Sequence, residues 1–363
     1  MAEDLNGVVA GYLRDLAAVQ KSQQSKWGYK RAASAVRNLD EPIESYLQPD
    51  GTLKKIHHVG PASTRVILEI LQTGASPTVA AAIESSGDTS KSKAEQSRMW
   101  RQHFLTRSRV LAALNNKSLR GPTRAQYRGD LQMHSTWSDG SKSLEDIIQE
   151  GIERGYEYCA VTDHSYGLPI AGGLSMDRFK KQHAEIDALN TQHAGKFRLL
   201  KGVEANIRAD GTVDMAEDEL RLMDIVVAAP HAALRVATDQ TERMLRAVET
   251  PGVHILGHPR GRMYGSRPGV TAEWPRVFAA AKRANVAIEI DGDPSRQDID
   301  YTLAKDAVAA GCLFALDTDA HGTRDFDYVD TAIAHARLAG VPAELVVNTW
   351  PLERLLAWAR ERA

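Results

Sequence analysis

Tyr127-Arg-Gly-Asp-Leu-Gln-Met-His-Ser-Thr-Trp-Ser-Asp-Gly140 reads as a short strand, Tyr127 to Met133, that runs into a polar loop carrying His134 and Asp139. A single loop histidine is ordinarily a surface or hydrogen-bonded residue. Here the pattern recurs. Further strand-like runs are Tyr158 to Val161, Phe197 to Val203, Asp224 to Ala229, Val253 to Leu256, Val286 to Ile290 and Leu313 to Leu316, and each ends beside metal-capable residues. Thr162-Asp163-His164 follows the second strand, and Gly202-Val203-Glu204 closes the third. Pro230-His231 follows the fourth and Gly257-His258-Pro259 the fifth. Glu289 and Asp291 stand at the sixth, and Asp317-Thr318-Asp319-Ala320-His321 at the seventh. Five of the chain's twelve histidines therefore lie just past strand ends, which is more than chance placement on loops would gather.

Helical runs separate these strands, among them Ser143 to Arg154, Ser175 to His193, Asp239 to Glu249, Thr271 to Ala284, Ile299 to Ala310 and Tyr328 to Leu338. Ser143 is a natural N-cap, with Glu145 and Asp146 placed for the helix dipole. Seven βα units point to an α/β fold with a parallel barrel or a doubly wound sheet. The barrel is favoured, because its C-terminal rim collects side chains from many strands. Imidazole with carboxylate suits Zn²⁺, Mn²⁺ or Fe²⁺. Five histidines with several carboxylates exceed one four-ligand site and imply two or three ions. Clustered ions of this kind serve phosphoester hydrolysis.

The chain ahead of the barrel is helical in pattern. Leu5, Val8, Val9, Tyr12, Leu13 and Leu16 share one face, and Tyr29, Ala32, Ala33 and Val36 share another in a helix expected over Lys26 to Leu39. Asp50-Gly51 marks a turn, and Gly60 breaks between two further helical runs. Residues 76 to 97 are rich in Ser, Ala, Thr and Lys and read as a mobile linker. Residues 98 to 114 read as one basic helix with Arg98, Arg101, Arg107 and Arg109, a candidate strand-guiding edge. The expected division is residues 1–76, a helical domain; 77–126, linker plus basic helix; and 127–363, the barrel.

Charge follows this division. Residues 1–126 carry 18 Lys and Arg against 11 Asp and Glu, a net of +7; the remainder carries 27 against 36, a net of −9. A basic half suits an acidic partner such as nucleic acid, and an acidic half suits cations. No apolar run approaches the roughly 20 residues that span a bilayer. Cys159 and Cys312 lie in apolar runs and read as buried thiols in a cytoplasmic protein, with no membrane and no obligate protein partner expected.

Two resemblances sharpen these readings. Gly129-Asp-Leu-Gln-Met-His-Ser-Thr-Trp-Ser-Asp-Gly140, Thr162-Asp-His164, Gly202-Val-Glu-Ala-Asn206, Gly257-His-Pro259, Asp319-Ala-His321 and Asn348-Thr-Trp-Pro351 resemble, in order and spacing, the PHP (polymerase and histidinol phosphatase) superfamily, and above all the PHP domain of bacterial family X DNA polymerases. The resemblance implies a distorted (β/α)7 barrel of TIM-like type. It also implies a first ion held by Gln132, His134, Glu204 and Asp319, a second by Glu204, His231 and His258, and a third by Asp139, His164 and His321. The family has His-x-His where this chain has Gln132-Met-His134, so the first ion is expected to bind more weakly. Asp163 is expected to orient a ligand histidine. Arg260 or Arg262, in a stretch that also holds Arg267, is expected to clamp a phosphate. Residues 6 to 75, with Tyr29-Lys-Arg-Ala-Ala-Ser-Ala-Val-Arg37, resemble the helix-hairpin-helix domain that opens family X polymerases, with His58 in place of the hairpin's first glycine.

The roughly 50 residues between the two domains cannot hold a polymerase palm, so no polymerase activity is expected. The leading expectation is a metal-dependent phosphoesterase acting on DNA, as a 3′–5′ exonuclease in repair. The alternatives are a small-molecule phosphomonoesterase of histidinol-phosphate type and a DNA-binding repair scaffold with weakened catalysis.

Overall fold

The computed structural model describes residues 4–362. The described residues divide into two compact units: residues 4–115 together with Tyr264–Arg267, and residues 116–263 with 268–362.

The first unit holds six helices: α1 Leu5–Val19, α2 Gln23–Arg37, α3 Pro61–Thr73, α4 Pro77–Glu84, α5 Asp88–Met99 and α6 Arg107–Asn115. Asp4 caps α1 by accepting from the Gly7 amide, and Ser22 caps α2 through the Ser25 amide. Their apolar faces meet in one core, where Val9, Leu13 and Leu16 pack with Ala32, Ala33, Val36, Ile67 and Ile70. The hairpin turn before α3 has the Val59 amide donating to the Ile56 carbonyl at 3.1 Å. His58, at the position of the missing glycine, is held in the left-handed region at φ +67°.

The expected mobile linker is instead two helices, α4 and α5. Ser76 caps α4, and its hydroxyl donates to Glu69, while Val79 and Ala94 are buried. The single basic helix expected over 98–114 is also corrected. The chain breaks between Met99 and Arg107, and Arg98 and Arg101 both pair with Asp15 of α1, which is buried. Arg107 pairs with Asp40. These cations hold helices to one another and are not a free basic edge.

The second unit is built on six parallel strands in the order β1 to β6: Tyr158–Val161, Arg198–Asn206, Ile225–Ala229, Ile255–Leu256, Ala287–Asp291 and Leu313–Asp317. They form a half-barrel in which α7 Leu144–Glu153 precedes β1, one α-helix lies between each pair of successive strands (α8 Met176–Gln192, α9 Glu217–Leu220, α10 Thr241–Glu249, α11 Trp274–Ala284 and α12 Tyr301–Ala310), and α13 Val329–Ala339 and α14 Leu352–Arg360 follow β6. Tyr158, Leu200, Val227, Ile255, Ala287 and Ala315 from the strands pack with Trp350, Leu355 and Trp358 of the C-terminal segment.

The first of the seven expected strands, Tyr127 to Met133, does not form. Its amides turn to side chains: Leu131 donates to Asp317, Met133 to the Thr162 hydroxyl, and Gln132 to Asp130. Such side-chain acceptors displace a regular ladder. The segment nevertheless lies between β1 and β6, because the Ala160 amide donates to the Asp130 carbonyl and the His134 amide to the Ala320 carbonyl. His134 is thereby delivered to the same rim as the residues that follow the strands.

Candidate metal centre

The rim gathers around Glu204, which β2 places at 1% exposure. Its Oε1 lies 2.9 Å from His258 Nε2 and 3.1 Å from His231 Nε2. Its Oε2 lies 3.3 Å from both His134 Nε2 and His164 Nδ1. Asp319 Oδ1 is 3.1 Å from His134 Nε2. Asp139 forms a second focus, 3.6 Å from His164 Nε2 and 3.5 Å from His321 Nε2. Donors about 2.0–2.2 Å from one tetrahedral ion stand roughly 3.3–3.6 Å apart, so these spacings fit ligand shells. Among the described residues, three groups bring one ligand atom from each member within 4.8 Å of the others: His134, Asp139, His164 and His321; His164, Glu204 and His231; and His134, Glu204 and Asp319.

Buried polar atoms without partners concentrate in the same place. Both amide atoms of Gln132, His134 Nδ1, His164 Nδ1, Glu204 Oε2 and His258 Nδ1 make no hydrogen bond. Leaving such atoms unpaired costs about 1–3 kcal/mol each, a cost that bound cations would remove from the Gln132 and Glu204 oxygens and from unprotonated imidazole nitrogens, though not from the donor-only Gln132 Nε2. The donor set of imidazoles and carboxylates thus fits divalent ions of the Zn²⁺, Mn²⁺ or Fe²⁺ class. His258 and Asp319 take positive φ, +22° and +51°, as residues held by their surroundings at functional sites do. Gly140 is required by close approach: a Cβ there would lie 2.2 Å from the His134 carbonyl oxygen.

Three expected roles are corrected. Among the described residues, Asp163 accepts no hydrogen bond from a histidine ring. Its oxygens accept from the Ser135 amide at 2.9 Å, the Ser135 hydroxyl at 2.6 Å, the Ser138 hydroxyl and the Gln182 amide. It pins the loop between His134 and Asp139. Arg260 is committed to Asp298 at 2.8 Å and Asp300 at 2.6 Å, both fully buried. Arg262 donates to the Arg296 and Gln297 carbonyls and pairs with Asp300 at 3.2 Å. Burial, and then the charge of Arg260, push Arg262 down to about 9. Both arginines hold the loop after β5 through these contacts.

The arginine that does face the centre is Arg296, whose guanidinium is 3.1 Å from Asp319 Oδ2. Its signal in the sequence was Asp291-Gly-Asp-Pro-Ser-Arg296, a polar loop past the sixth expected strand.

A family model described as a PHP domain matches residues 130–290, and one described as a helix-hairpin-helix domain matches residues 4–76. This chain carries a PHP domain behind a helix-hairpin-helix domain. The DNA polymerase/3′-5′ exonuclease PolX of Bacillus subtilis is 37% identical over 236 residues, which are 65% of this chain and 41% of that protein. The chain thus spans well under half of that relative's length. A probable phosphatase of Thermoanaerobacter sp. is 29% identical over 233 residues, 61% of this chain and 89% of that protein. A solved structure of histidinol phosphate phosphatase from Lactococcus lactis, in complex with zinc, L-histidinol and phosphate, matches with a TM-score of 0.44 at 18% identity, over 57% of this chain and 92% of that one.

The electrostatics of the PHP domain separate two rings of carboxyl groups. Burial alone would raise Glu204, but the facing His164 and His231 hold it well below the carboxylate range. Burial is likewise outweighed at Asp319 by Arg296 and His134, and at Asp139 by His164 and His321. These groups are anionic and ready to accept cations. Behind them, burial raises Asp130, Glu289 and Asp291, and lifts Asp317 to about 6. This second ring fixes backbone: Glu289 accepts from the His258 amide, and Asp317 from the Leu131 amide at 2.9 Å. No single described helix is long and apolar enough to cross a membrane.

Proposed function

We propose that this chain is a metal-dependent phosphoesterase that hydrolyses phosphodiester bonds in DNA, as a 3′–5′ exonuclease in repair. The observation that carries the reading is the ring of four histidines around the Glu204 carboxylate, with Asp139 and Asp319 at its edges. Gln132, His134, Glu204 and Asp319 would hold a first ion, Glu204, His231 and His258 a second, and Asp139, His164 and His321 a third. Because His164 faces both Glu204 and Asp139, it would stand between two of these positions. Bound ions of this class supply Lewis acidity toward phosphate oxygens and acidify water near neutral pH. The chain's own part is to place them: β2 fixes Glu204, and the loop pinned by Asp163 fixes His134 and Asp139. Arg296 adds a guanidinium that offers two donors to a phosphate oxygen once Asp319 is engaged elsewhere.

DNA is favoured as substrate because a helix-hairpin-helix domain precedes the PHP domain and because the Bacillus subtilis relative bears the name of a polymerase and 3′-5′ exonuclease. The second reading, a phosphomonoesterase, draws on the probable phosphatase that matches over most of its own length. The test is purified protein with Mn²⁺ on 5′-labelled single-stranded DNA, beside a soluble monoester and a His258→Ala control. A ladder of shortened products, absent in His258→Ala, supports the exonuclease. Monoester turnover with intact DNA replaces it with the phosphatase.

A further inference from the structure

The first unit contains a pocket of about 500 Å³ that the hairpin does not touch. Arg14 of α1, Lys26 and Lys30 of α2, and Arg101 line it with Ser97 and Ser266, and no carboxylate lines it among the described residues. Arg101 is neutralised by Asp15. Arg14 is not: its Nε is buried without a hydrogen-bond partner. Burial holds the Arg14 guanidinium below the usual arginine range; Tyr264 opposes this shift, and the charge of Arg101 adds to it. Tyr264 is fixed in the wall, with the Arg37 guanidinium 3.7 Å and that of Arg14 5.5 Å from its ring centre, and Phe104 edge-on at 5.1 Å.

A desolvated guanidinium and two lysines without an ion-pair partner among the described residues, Lys26 and Lys30, line one volume. An anion with several acceptor oxygens and more than one charge satisfies such a set, and a phosphate group has both. A single carboxylate offers two oxygens and one charge, too few for three cations. We propose that this pocket binds a phosphate group, either in the backbone of a nucleic acid strand or in a small soluble phosphate. The strand arm rests on the DNA reading above; the phosphate chemistry does not.

The test uses the full-length chain. Binding of a fluorescein-labelled phosphorothioate oligonucleotide, followed by anisotropy across a salt series, is compared for the wild type, Arg14→Gln, Lys30→Gln and the double variant. Lys55→Gln at the hairpin is the control. A second arm measures the rise in melting temperature with inorganic phosphate. Lys30 is exposed, so its variant folds even where Arg14→Gln does not. Strand binding predicts a roughly tenfold loss for Lys30→Gln and a salt slope lowered by about 1 per cation removed. Unaltered oligonucleotide binding, with a phosphate-induced rise lost in the variants, supports the pocket and assigns it a soluble phosphate. Unchanged behaviour of Lys30→Gln and the double variant in both arms overturns the pocket, and leaves the nuclease reading to its own assay.

Discussion

At the residue scale, Gln132 is the departure with the clearest consequence. Its amide is fully buried and unpartnered, and stands where the resemblance to the PHP superfamily implies imidazole. A neutral amide oxygen is the weaker ligand for a borderline ion. Gln132→His is expected to tighten metal binding by roughly tenfold, about 1.4 kcal/mol, in a chelator-competition titration; equal affinities would refute the assignment. His254 gives an independent prediction. It accepts from the Val226 amide at 2.9 Å and faces the Ala359 carbonyl, and burial pushes it down to about 4. The unfolded chain binds this proton with a pKa near 6.5, so between pH 6.5 and 4 unfolding takes up a proton. The contribution is present in full above pH 6.5 and falls by about 3 kcal/mol as pH drops to 4. Its ring resonances should therefore stay unshifted from pH 7.5 to 5; a midpoint at 6.5 would contradict the buried neutral form.

At the element scale, the hairpin and α5 carry the tests. His58 occupies a left-handed position that glycine takes without steric cost. His58→Gly is expected to raise the stability of the helical unit by up to about 1 kcal/mol, read from urea melts; destabilisation would mean that its ring contact with His57, 3.8 Å between centroids, matters more. Asp15 ties α5 to α1 across 83 positions of sequence. Asp15→Asn leaves Arg101 buried beside a neutral amide, and should cost about 3 kcal/mol. A change within error in the denaturant midpoint would return α5 to the status of a loose connection. The Ser- and Lys-rich composition hid this helix because its anchor is the distant Asp15, while its own face offers little apolar surface beyond Ala94.

At the scale of the whole molecule, bound ions and the PHP fold should be thermodynamically linked, since the unpaired donors are buried only in the folded state. Stripping the protein with a chelator is expected to lower its melting temperature, with recovery on adding Zn²⁺ or Mn²⁺; an unaltered melt would argue that the centre binds no ion tightly. The ligand candidates were legible because a parallel barrel presents strand ends on one rim, so apolar runs followed by His134, His164, His231, His258 and Asp319 reveal the site by local pattern. The βα alternation and the helical first unit were legible for the same local reason. What the sequence could not decide was the partner of each charged side chain. Arg260 and Arg262 follow His258 in the chain as a phosphate clamp would, yet buried Asp298 and Asp300 take them; Arg296 reaches Asp319 instead, and Asp163 grips serines rather than a histidine. The first expected strand failed in the same way, its amides captured by Asp317 and Thr162 from far along the chain. Periodicity and strand-end position are set by neighbours a few residues away, whereas ion pairs and side-chain capture of backbone amides depend on distances that exist only once the chain has folded.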